Sequence, residues 1–118
     1  MQKKHQYKAT VVWTGNKGVG TTNYLSYERE HIISIEKKLD ILGSSDPDFR
    51  GDTTKHNPEE LLVSSLSACH LLWYLHLCAQ AGVIVADYTD NPIGVMNETE
   101  NDGGHFTEVI LDPVVIVK

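Results

Sequence analysis

The strongest signal in this 118-residue chain is a helix bounded by Asn57 and Gly82. Asn57 is a good N-cap, Pro58 suits the first helical position, and Glu60 is placed to reach back to the Asn57 amide. Gly82 follows Ala81 at the place where a left-handed residue ends a helix. The sequence therefore predicts one helix from about Pro58 to about Ala81, roughly 36 Å long at about 1.5 Å per residue.

The predicted helix is apolar almost all the way round. Its apolar side chains are Leu61, Leu62, Val63, Leu66, Ala68, Leu71, Leu72, Trp73, Tyr74, Leu75, Leu77 and Ala79. A helix without a polar face must be buried on all sides, and a domain this small has too little chain to cover it alone. We therefore expect a homodimer in which a second copy helps to cover the helix.

Short β patterns lie on both sides of this helix. The segments that favour strands are Tyr7 to Thr14, Val83 to Thr89, Ile93 to Glu98, Phe106 to Leu111 and Val114 to Val117, and Asn23 to Ile35 is interpreted as two short strands or one bent hairpin. Glycines break the chain over residues 15–20, and residues 100–104 favour a hairpin turn. Turn formers over Gly43 to Lys55 predict an ordered surface loop. The pattern is that of an α+β protein with antiparallel sheets.

Composition excludes several classes of protein. Hydrophobic residues make up 41% of the chain and charged residues 22%, which is ordinary for a globular domain. A length of 118 residues is enough for only one such domain. The formal net charge of -6, without a stripe of Lys and Arg, argues against nucleic acid as a partner. Because neither a signal-peptide pattern nor an uninterrupted apolar run of about 20 residues is found, we expect a soluble, cytoplasmic protein with no membrane partner.

The two cysteines, Cys69 and Cys78, fit neither a disulfide framework nor a zinc site. At about 100° and 1.5 Å per residue they face opposite sides of the helix, about 13 Å apart along its axis, beyond the reach of a disulfide. Small residues at 64–68 leave space beside the sulfur of Cys69, where a substrate could lie. On chemistry alone, an inert core cysteine stays open for Cys69, and Cys78 is interpreted as packing.

Few other side chains carry a chemical signal. Arg50 lies in a turn-rich, acidic segment, where it could order the loop through carboxylates or lower the pKa of a thiol and orient an oxygen-bearing substrate. Arg29 is interpreted as a solvated charge on a strand, and Glu59 suits the positive end of the helix. His70 and His76 are about 240° apart around the helix, so we expect no metal and no cofactor.

Two motifs give the chain a family resemblance. The run Asn57-Pro58-Glu59-Glu60-Leu61-Leu62, with Ala68-Cys69 following and Cys69 ten residues after Glu59, resembles the OsmC/Ohr family of osmotically induced and organic-hydroperoxide-resistance proteins. Trp13-Thr14-Gly15 and Gly18-Val19-Gly20-Thr21 are similar to the glycine turn after that family's first strand. The resemblance implies one OsmC-like domain over residues 1–118, with antiparallel sheets around a long buried central helix in an intertwined homodimer. Relative to the family, this domain would lack the C-terminal helix and strand.

The resemblance also implies a function, that of a thiol peroxidase acting on organic hydroperoxides, with hydrogen peroxide left open as a substrate. Cys69 would be the peroxidatic cysteine and Glu59 the acid that holds the catalytic arginine. The family's position for that arginine matches Lys17 here, so the role passes to Lys17 or Arg50. We favour Arg50, because lysine cannot reproduce a bidentate guanidinium beside a carboxylate.

Three further expectations follow. Without the family's resolving cysteine, oxidised Cys69 needs an external thiol reductant, or its turnover is impaired. Glu59 and Cys69 are about 15 Å apart on one straight helix, so Glu59 should serve Cys69 of the partner subunit. The alternative to a peroxidase is a stress-response protein that binds apolar ligands with weak or no catalysis. Thiol-dependent hydrolysis ranks last, because His70 points about 100° away from Cys69.

Overall fold

The computed structural model of the chain describes residues 3–100 and 103–118. These residues fall into two compact units, Met1–Pro58 and Glu59–Lys118. In chain order the elements are β1 (Thr10–Trp13), β2 (His31–Ser34), β3 (Ile41–Gly43), a short 3-10 helix (Pro47–Phe49), α1 (Pro58–Ala81), β4 (Val85–Thr89), β5 (Ile93–Thr99), β6 (Gly103–Ile110) and β7 (Val114–Val117). One long helix with short strands before and after it is the arrangement that the sequence predicts.

The first unit contains a three-stranded antiparallel sheet in the order β1-β2-β3. Thr10 lies opposite Ser34, and Trp13 lies opposite His31. β1 is rich in β-branched and aromatic side chains, which suit a pleated surface, and it is shorter than the predicted strand of residues 7–14. The third strand, β3, follows β2 after a tight turn and was absent from the sequence-based prediction.

Between β1 and β2 the chain forms turns, so the prediction of two strands or a bent hairpin over Asn23 to Ile35 is wrong, and only β2 forms there. The reason is a set of local hydrogen bonds. The Ser26 hydroxyl donates to the Asn23 carbonyl at 2.8 Å, and the Asn23 side chain accepts from the Leu25 amide at 2.9 Å. Such side-chain bonds to nearby backbone groups compete with the pairing of strands.

The loop from β3 to α1 is ordered by its own polar groups, as the sequence predicts. Asp46 caps the 3-10 helix by accepting from the Asp48 amide at 2.8 Å. Ser44 is completely buried, and its hydroxyl accepts from the Asp52 amide at 3.0 Å. Asp52 in turn accepts from the Thr54 amide at 2.8 Å. These bonds fix the backbone that carries Arg50.

The second unit consists of α1 and four strands in two antiparallel pairs, β4 with β7 and β5 with β6. β6 begins at Gly103, three residues before the predicted start at Phe106. Of the predicted turn at residues 100–104, positions 101 and 102 lie outside the described residues. Each of the two pairs contains one irregularity of register, at Val85/Asp87 and at Val95/Met96.

The bounds of α1, Pro58–Ala81, match the prediction. At the C-terminus Gly82 has a φ of 76°, in the left-handed region that favours glycine. The Val83 amide donates to the Cys78 carbonyl at 2.9 Å and the Gly82 amide to the Ala79 carbonyl at 3.3 Å, the two bonds of a Schellman motif. The predicted stop signal is therefore confirmed. Asn57 lies just before α1 and is 8% exposed; its capping bond with Glu60 stays a prediction.

The described residues of this single chain contain no buried hydrophobic side chain. α1 itself has no buried residue, and Leu72, Trp73 and Leu77 are 65%, 61% and 57% exposed. By length and composition alone α1 could cross a membrane, although its polar residues interrupt the apolar run. The core helix of a soluble protein meets the same criterion. A long apolar helix is thus left uncovered in one copy of the chain.

Candidate functional site

Cys69 lies near the middle of α1 with a free, exposed thiol. All of α1 is unburied in the single chain, so the exposure of Cys69 leaves the interpretation as an inert core cysteine open. Cys78 is also free and is partly buried. α1 is continuous between them, so the expected separation of about 13 Å applies.

The helix turns on both sides of Cys69 are tied to the end of β4 by side-chain hydrogen bonds. Before it, the Ser67 hydroxyl donates to Oδ2 of Asp90 at 2.6 Å. After it, Nδ1 of His70 and the Tyr88 hydroxyl are 2.7 Å apart. Because His70 is engaged with Tyr88, thiol-dependent hydrolysis with His70 as base gains no support from the geometry.

The charge state of Asp90 follows from these bonds. Its pKa is lowered, chiefly by the hydrogen bond from Ser67 and also by backbone amides, including that of Asp112 at 2.8 Å. The pKa of Tyr88 is raised, first by loss of solvent and then by the negative charge of Asp90. Asp90 is therefore ionised and Tyr88 protonated at neutral pH. Asp90 and Tyr88 anchor the helix segment that carries Cys69.

A cavity of about 330 Å³ lies against the small side chains that precede Cys69. Its lining residues are Ser64, Ser67, Ala68, Leu71, Tyr88, Asp90 and Pro92. The expected space beside the small residues thus exists. Cys69 is not among the residues that line this cavity, so a void beside the sulfur itself stays a prediction.

Glu59 lies in the first turn of α1. Its Oε2 atom is shielded from solvent and has no hydrogen-bond partner among the described residues. A shielded carboxylate oxygen without a donor is unfavourable, so this atom is ready to accept a cation or an N–H group. On the continuous helix, Glu59 and Cys69 remain ten residues or about 15 Å apart. The structure therefore does not bring them together within one copy.

Arg50 belongs to the first unit and ends the 3-10 helix with a φ of 65°. Its amide donates to the Pro47 carbonyl at 3.0 Å. The side chain is exposed, and across residues 3–100 and 103–118 its guanidinium forms no ion pair or hydrogen bond. The interpretation that Arg50 orders the loop through carboxylates is therefore wrong, because Asp46, Ser44 and Asp52 order it instead. The guanidinium remains available.

Arg29 also differs from its interpretation as a solvated charge. Its guanidinium carbon lies 4.3 Å from the ring centre of Tyr24 and 3.8 Å from that of Tyr27. The same group donates to the Tyr27 carbonyl at 2.7 Å and to the Tyr24 carbonyl at 3.0 Å. These cation–π and hydrogen-bond contacts give Arg29 a structural role in the turn before β2.

Lys17, the other candidate cation, is already paired. Its Nζ lies 2.6 Å from Oε1 of Glu28, and the two side chains are 53% and 44% exposed. The hydrogen bond and the charge of Lys17 lower the pKa of Glu28, with smaller contributions from Arg50 and Arg29. Both partners line a cavity of about 290 Å³ in the first unit. Glu28 was missed in the sequence, where it reads as one charge of a polar segment.

That cavity carries other charged groups. Lys55, on its wall, is held by Asp52 at 2.7 Å, and Glu30 has an Oε2 atom shielded from solvent with no hydrogen-bond partner in the described chain. The pKa of Lys55 is raised, first by its hydrogen bond to Asp52. Among the described residues, no three side chains of His, Cys, Asp or Glu are grouped so that they could hold a metal ion.

Comparison with solved structures gives an OsmC-like relative. No protein-family model and no curated protein matches the chain. Among solved structures, the chain is similar to an OsmC-like protein of unknown function from Vibrio cholerae O1 biovar eltor. The two share 28% sequence identity and superpose with a TM-score of 0.85 over 98% of this chain and 77% of the other. The predicted α+β fold of the OsmC-like type, with one long helix and antiparallel sheets, is therefore confirmed. The dimer and the roles of the site residues stay predictions.

Proposed function

We propose that this chain, which is an OsmC-like protein, is a cytoplasmic thiol peroxidase that reduces organic hydroperoxides through Cys69. The observation that carries the proposal is the free thiol of Cys69 in the middle of α1. Its position, ten residues after Glu59, is that of the peroxidatic cysteine in the family that the sequence resembles. A thiolate reachable by a small oxidant is the one group that this chemistry requires.

The reaction follows from cysteine chemistry. The Cys69 thiolate attacks the distal oxygen of the hydroperoxide, so that an S–O bond forms and the O–O bond breaks. The sulfur loses two electrons and becomes a sulfenic acid, and the alkoxide takes up a proton and leaves as an alcohol. An external thiol then condenses with the sulfenic acid, releasing water. A second thiol reduces the mixed disulfide and restores Cys69.

A cation favours the thiolate and stabilises the negative charge that develops on the leaving oxygen. Arg50 is the first candidate because its exposed guanidinium has no partner within the described residues. Lys17 is the second candidate, and it is paired with Glu28. Glu59, with its unpartnered Oε2, is suited to hold such a cation.

In this proposal the functional unit is a homodimer. The first support is that α1 is apolar all round and uncovered in one copy. The second is the distance of about 15 Å between Glu59 and Cys69 along α1, which prevents them from sharing a site within one subunit. Glu59 would therefore act beside Cys69 of the partner subunit.

The test is consumption of cumene hydroperoxide with dithiothreitol, followed by stopped flow. We expect Cys69→Ser to reduce consumption to the rate without protein, and Cys78→Ser, the matched control, to stay near wild type. Mass spectrometry after one equivalent of peroxide should show a sulfenic acid or mixed disulfide on Cys69 alone. Equal activity of wild type and Cys69→Ser would refute the proposal.

The cavity beside α1 supports a second candidate function, the binding of a small apolar ligand. Its wall includes Ala68, Leu71 and Pro92. Its volume of about 330 Å³ is at the lower end of the volumes found for small-molecule binding sites. Titration with a fluorescent fatty acid tests this function. Binding that is equal in wild type and Cys69→Ser and is lost in Ala68→Trp, together with no peroxidase activity, would favour binding over catalysis.

A further inference from the structure

We infer that the cavity of about 290 Å³ in the first unit binds a short alkylammonium ligand, and that Glu30 accepts the N–H groups of its amine. Every residue that carries the inference lies within Met1–Pro58, so it is independent of the proposed peroxidase activity. The observation behind it is Oε2 of Glu30, which is shielded from solvent and has no hydrogen-bond partner among the described residues. Neither the sequence motifs nor the family resemblance assigns a role to Glu30.

The backbone of Glu30 is fixed beside the cavity. Its carbonyl accepts from the Thr14 amide at 2.9 Å, and the next residue, His31, begins β2 opposite Trp13. Thr14, Glu30 and His31 all line the cavity. The carboxyl group of Glu30 therefore extends from a rigid part of the sheet. A shielded oxygen without a donor at such a place is unfavourable until a ligand or a water molecule supplies one.

The two lysines on the cavity wall are already paired with other carboxylates. Nζ of Lys17 lies 2.6 Å from Oε1 of Glu28, and Nζ of Lys55 lies 2.7 Å from Oδ2 of Asp52. The pKa of Lys55 is raised first by its hydrogen bond to Asp52 and least by the charge of Glu30. Neither ammonium group donates to Oε2 of Glu30. Each lysine thus offsets the charge of its own partner, and the negative charge of Glu30 is left for a ligand.

The rest of the cavity wall indicates the kind of ligand. Ile32 of β2 and Leu42 of β3 are opposite each other in the sheet, and both line the cavity. An apolar part of the wall favours a ligand with an apolar body over a bare ion. A metal ion is also disfavoured, because no three side chains of His, Cys, Asp or Glu in the described part of the chain are grouped to hold one. The volume of about 290 Å³ suits a molecule of a few carbon atoms.

The test is a titration of the full chain at pH 7 with three probes of similar shape, isobutylamine, isobutanol and isobutyrate, followed by two-dimensional amide NMR. We expect isobutylamine to shift the amide signals of Lys17, Glu30 and Leu42. It should bind about tenfold more tightly than isobutanol, because a hydrogen bond between charged groups is stronger than one that involves a neutral hydroxyl. Isobutyrate should leave these signals unchanged.

Three substitutions make the result specific to Glu30. Glu30→Gln keeps the size of the side chain and removes its charge, so it should weaken isobutylamine binding about tenfold. Glu36→Gln removes the same charge from an exposed position in the turn between β2 and β3, and should leave the dissociation constant unchanged. Lys55→Met removes a positive charge from the cavity wall and should tighten isobutylamine binding about threefold.

Three results would overturn the inference. The first is that isobutylamine shifts no amide signal of the cavity, and the second is that it binds wild type and a folded Glu30→Gln equally well. The third is tighter binding of isobutyrate, which would assign the cavity to anions held by Lys17 and Lys55. If Glu30→Gln loses the amide dispersion of a folded protein, Lys55→Met decides the question, because weaker binding of isobutylamine to that variant would contradict a cation site.

Discussion

At the scale of single residues, the backbone of Arg50 shapes the loop, and its side chain takes no part in holding that loop together. Its φ of 65° is a conformation that favours glycine, and its amide bond to Pro47 needs no particular side chain. The guanidinium contributes no ion pair to the loop within the described residues. A change at this position can therefore remove the charge without harming the fold.

We predict that Arg50→Gly keeps or raises stability by about 1 kcal/mol, because glycine relieves the left-handed backbone. The same change should lower kcat/KM for cumene hydroperoxide about 100-fold, as loss of one donor to a developing oxyanion does. Denaturant unfolding and stopped-flow assays measure the two effects. Arg50→Lys, which keeps the charge but not the bidentate fork, should be intermediate in activity. Full activity in Arg50→Gly would exclude Arg50 as the active-site cation.

The sequence reveals some of the candidate site and hides the rest for a physical reason. Cys69 and Glu59 are found by a local motif, because their separation is fixed by one helix. Glu28 is eleven residues from Lys17 in the sequence, and the two are brought together by the pairing of β1 with β2. In that pairing the residue numbers of opposite residues add to 44, as for Trp13 and His31. Continued past the strand end, that register places Lys17 near residue 27. A correct prediction of this pairing would have revealed the ion pair.

At the scale of elements, α1 was predictable because its signals are local. Pro58 at the start and the left-handed Gly82 after the end each act within one turn. The strands of the first unit were less predictable, because pairing depends on distant partners. Tyr24 and Tyr27 resemble strand residues by type, yet the structure uses their rings to contact Arg29. These contacts between residues only two to five positions apart override the β propensity of the residues.

The bond between α1 and the end of β4 gives a pH-dependent prediction. Asp90 has a lowered pKa in the folded chain, chiefly because Ser67 donates to it. Its contribution to stability is therefore present above the unfolded pKa of about 4 and is lost as pH falls through the lower folded pKa. We expect Ser67→Ala to lower the urea midpoint at pH 7, with a difference from wild type that shrinks as the pH falls below the unfolded pKa of about 4.

A matched control separates this effect from the general cost of removing a hydroxyl. Ser65 is exposed, and its hydroxyl donates to the backbone carbonyl of Leu62 at 2.8 Å rather than to a carboxylate. Ser65→Ala should give a small difference in urea midpoint that does not change between pH 7 and pH 3. A pH-independent loss of stability in Ser67→Ala would show that Asp90 is not the group through which Ser67 acts.

At the scale of the whole molecule, exposure of α1 is the fact that most needs an explanation. Buried apolar area is the main favourable term in folding, and a single copy has no buried hydrophobic side chain among its described residues. Association of two copies through α1 would supply the missing burial. We expect sedimentation velocity at micromolar concentration to give a species of twice 13.2 kDa. A strict monomer with full peroxidase activity would contradict this expectation.

The face that carries Leu72 should be decisive for this association. Leu72 is 65% exposed on α1, and Leu39 is 94% exposed in the turn between β2 and β3. We predict that Leu72→Glu weakens the dimer at least about 30-fold, because a charge would have to be buried at the centre of an interface. Leu39→Glu introduces the same charge at an isolated exposed leucine and should leave the dissociation constant unchanged. Equal effects would place the interface away from α1.

If Glu59 acts beside Cys69 of the partner subunit, two inactive variants should complement each other. Co-expressed Glu59→Gln and Cys69→Ser subunits form mixed dimers, in which one of the two sites combines an intact Glu59 with an intact Cys69. Random pairing makes half of the dimers mixed, so about a quarter of wild-type activity should return in a two-fold symmetric assembly. The separately purified variants are the control and should stay near background. If both residues worked within one subunit, the mixed dimers would contain no intact site, and the activity of the mixture would equal the mean of the two variants.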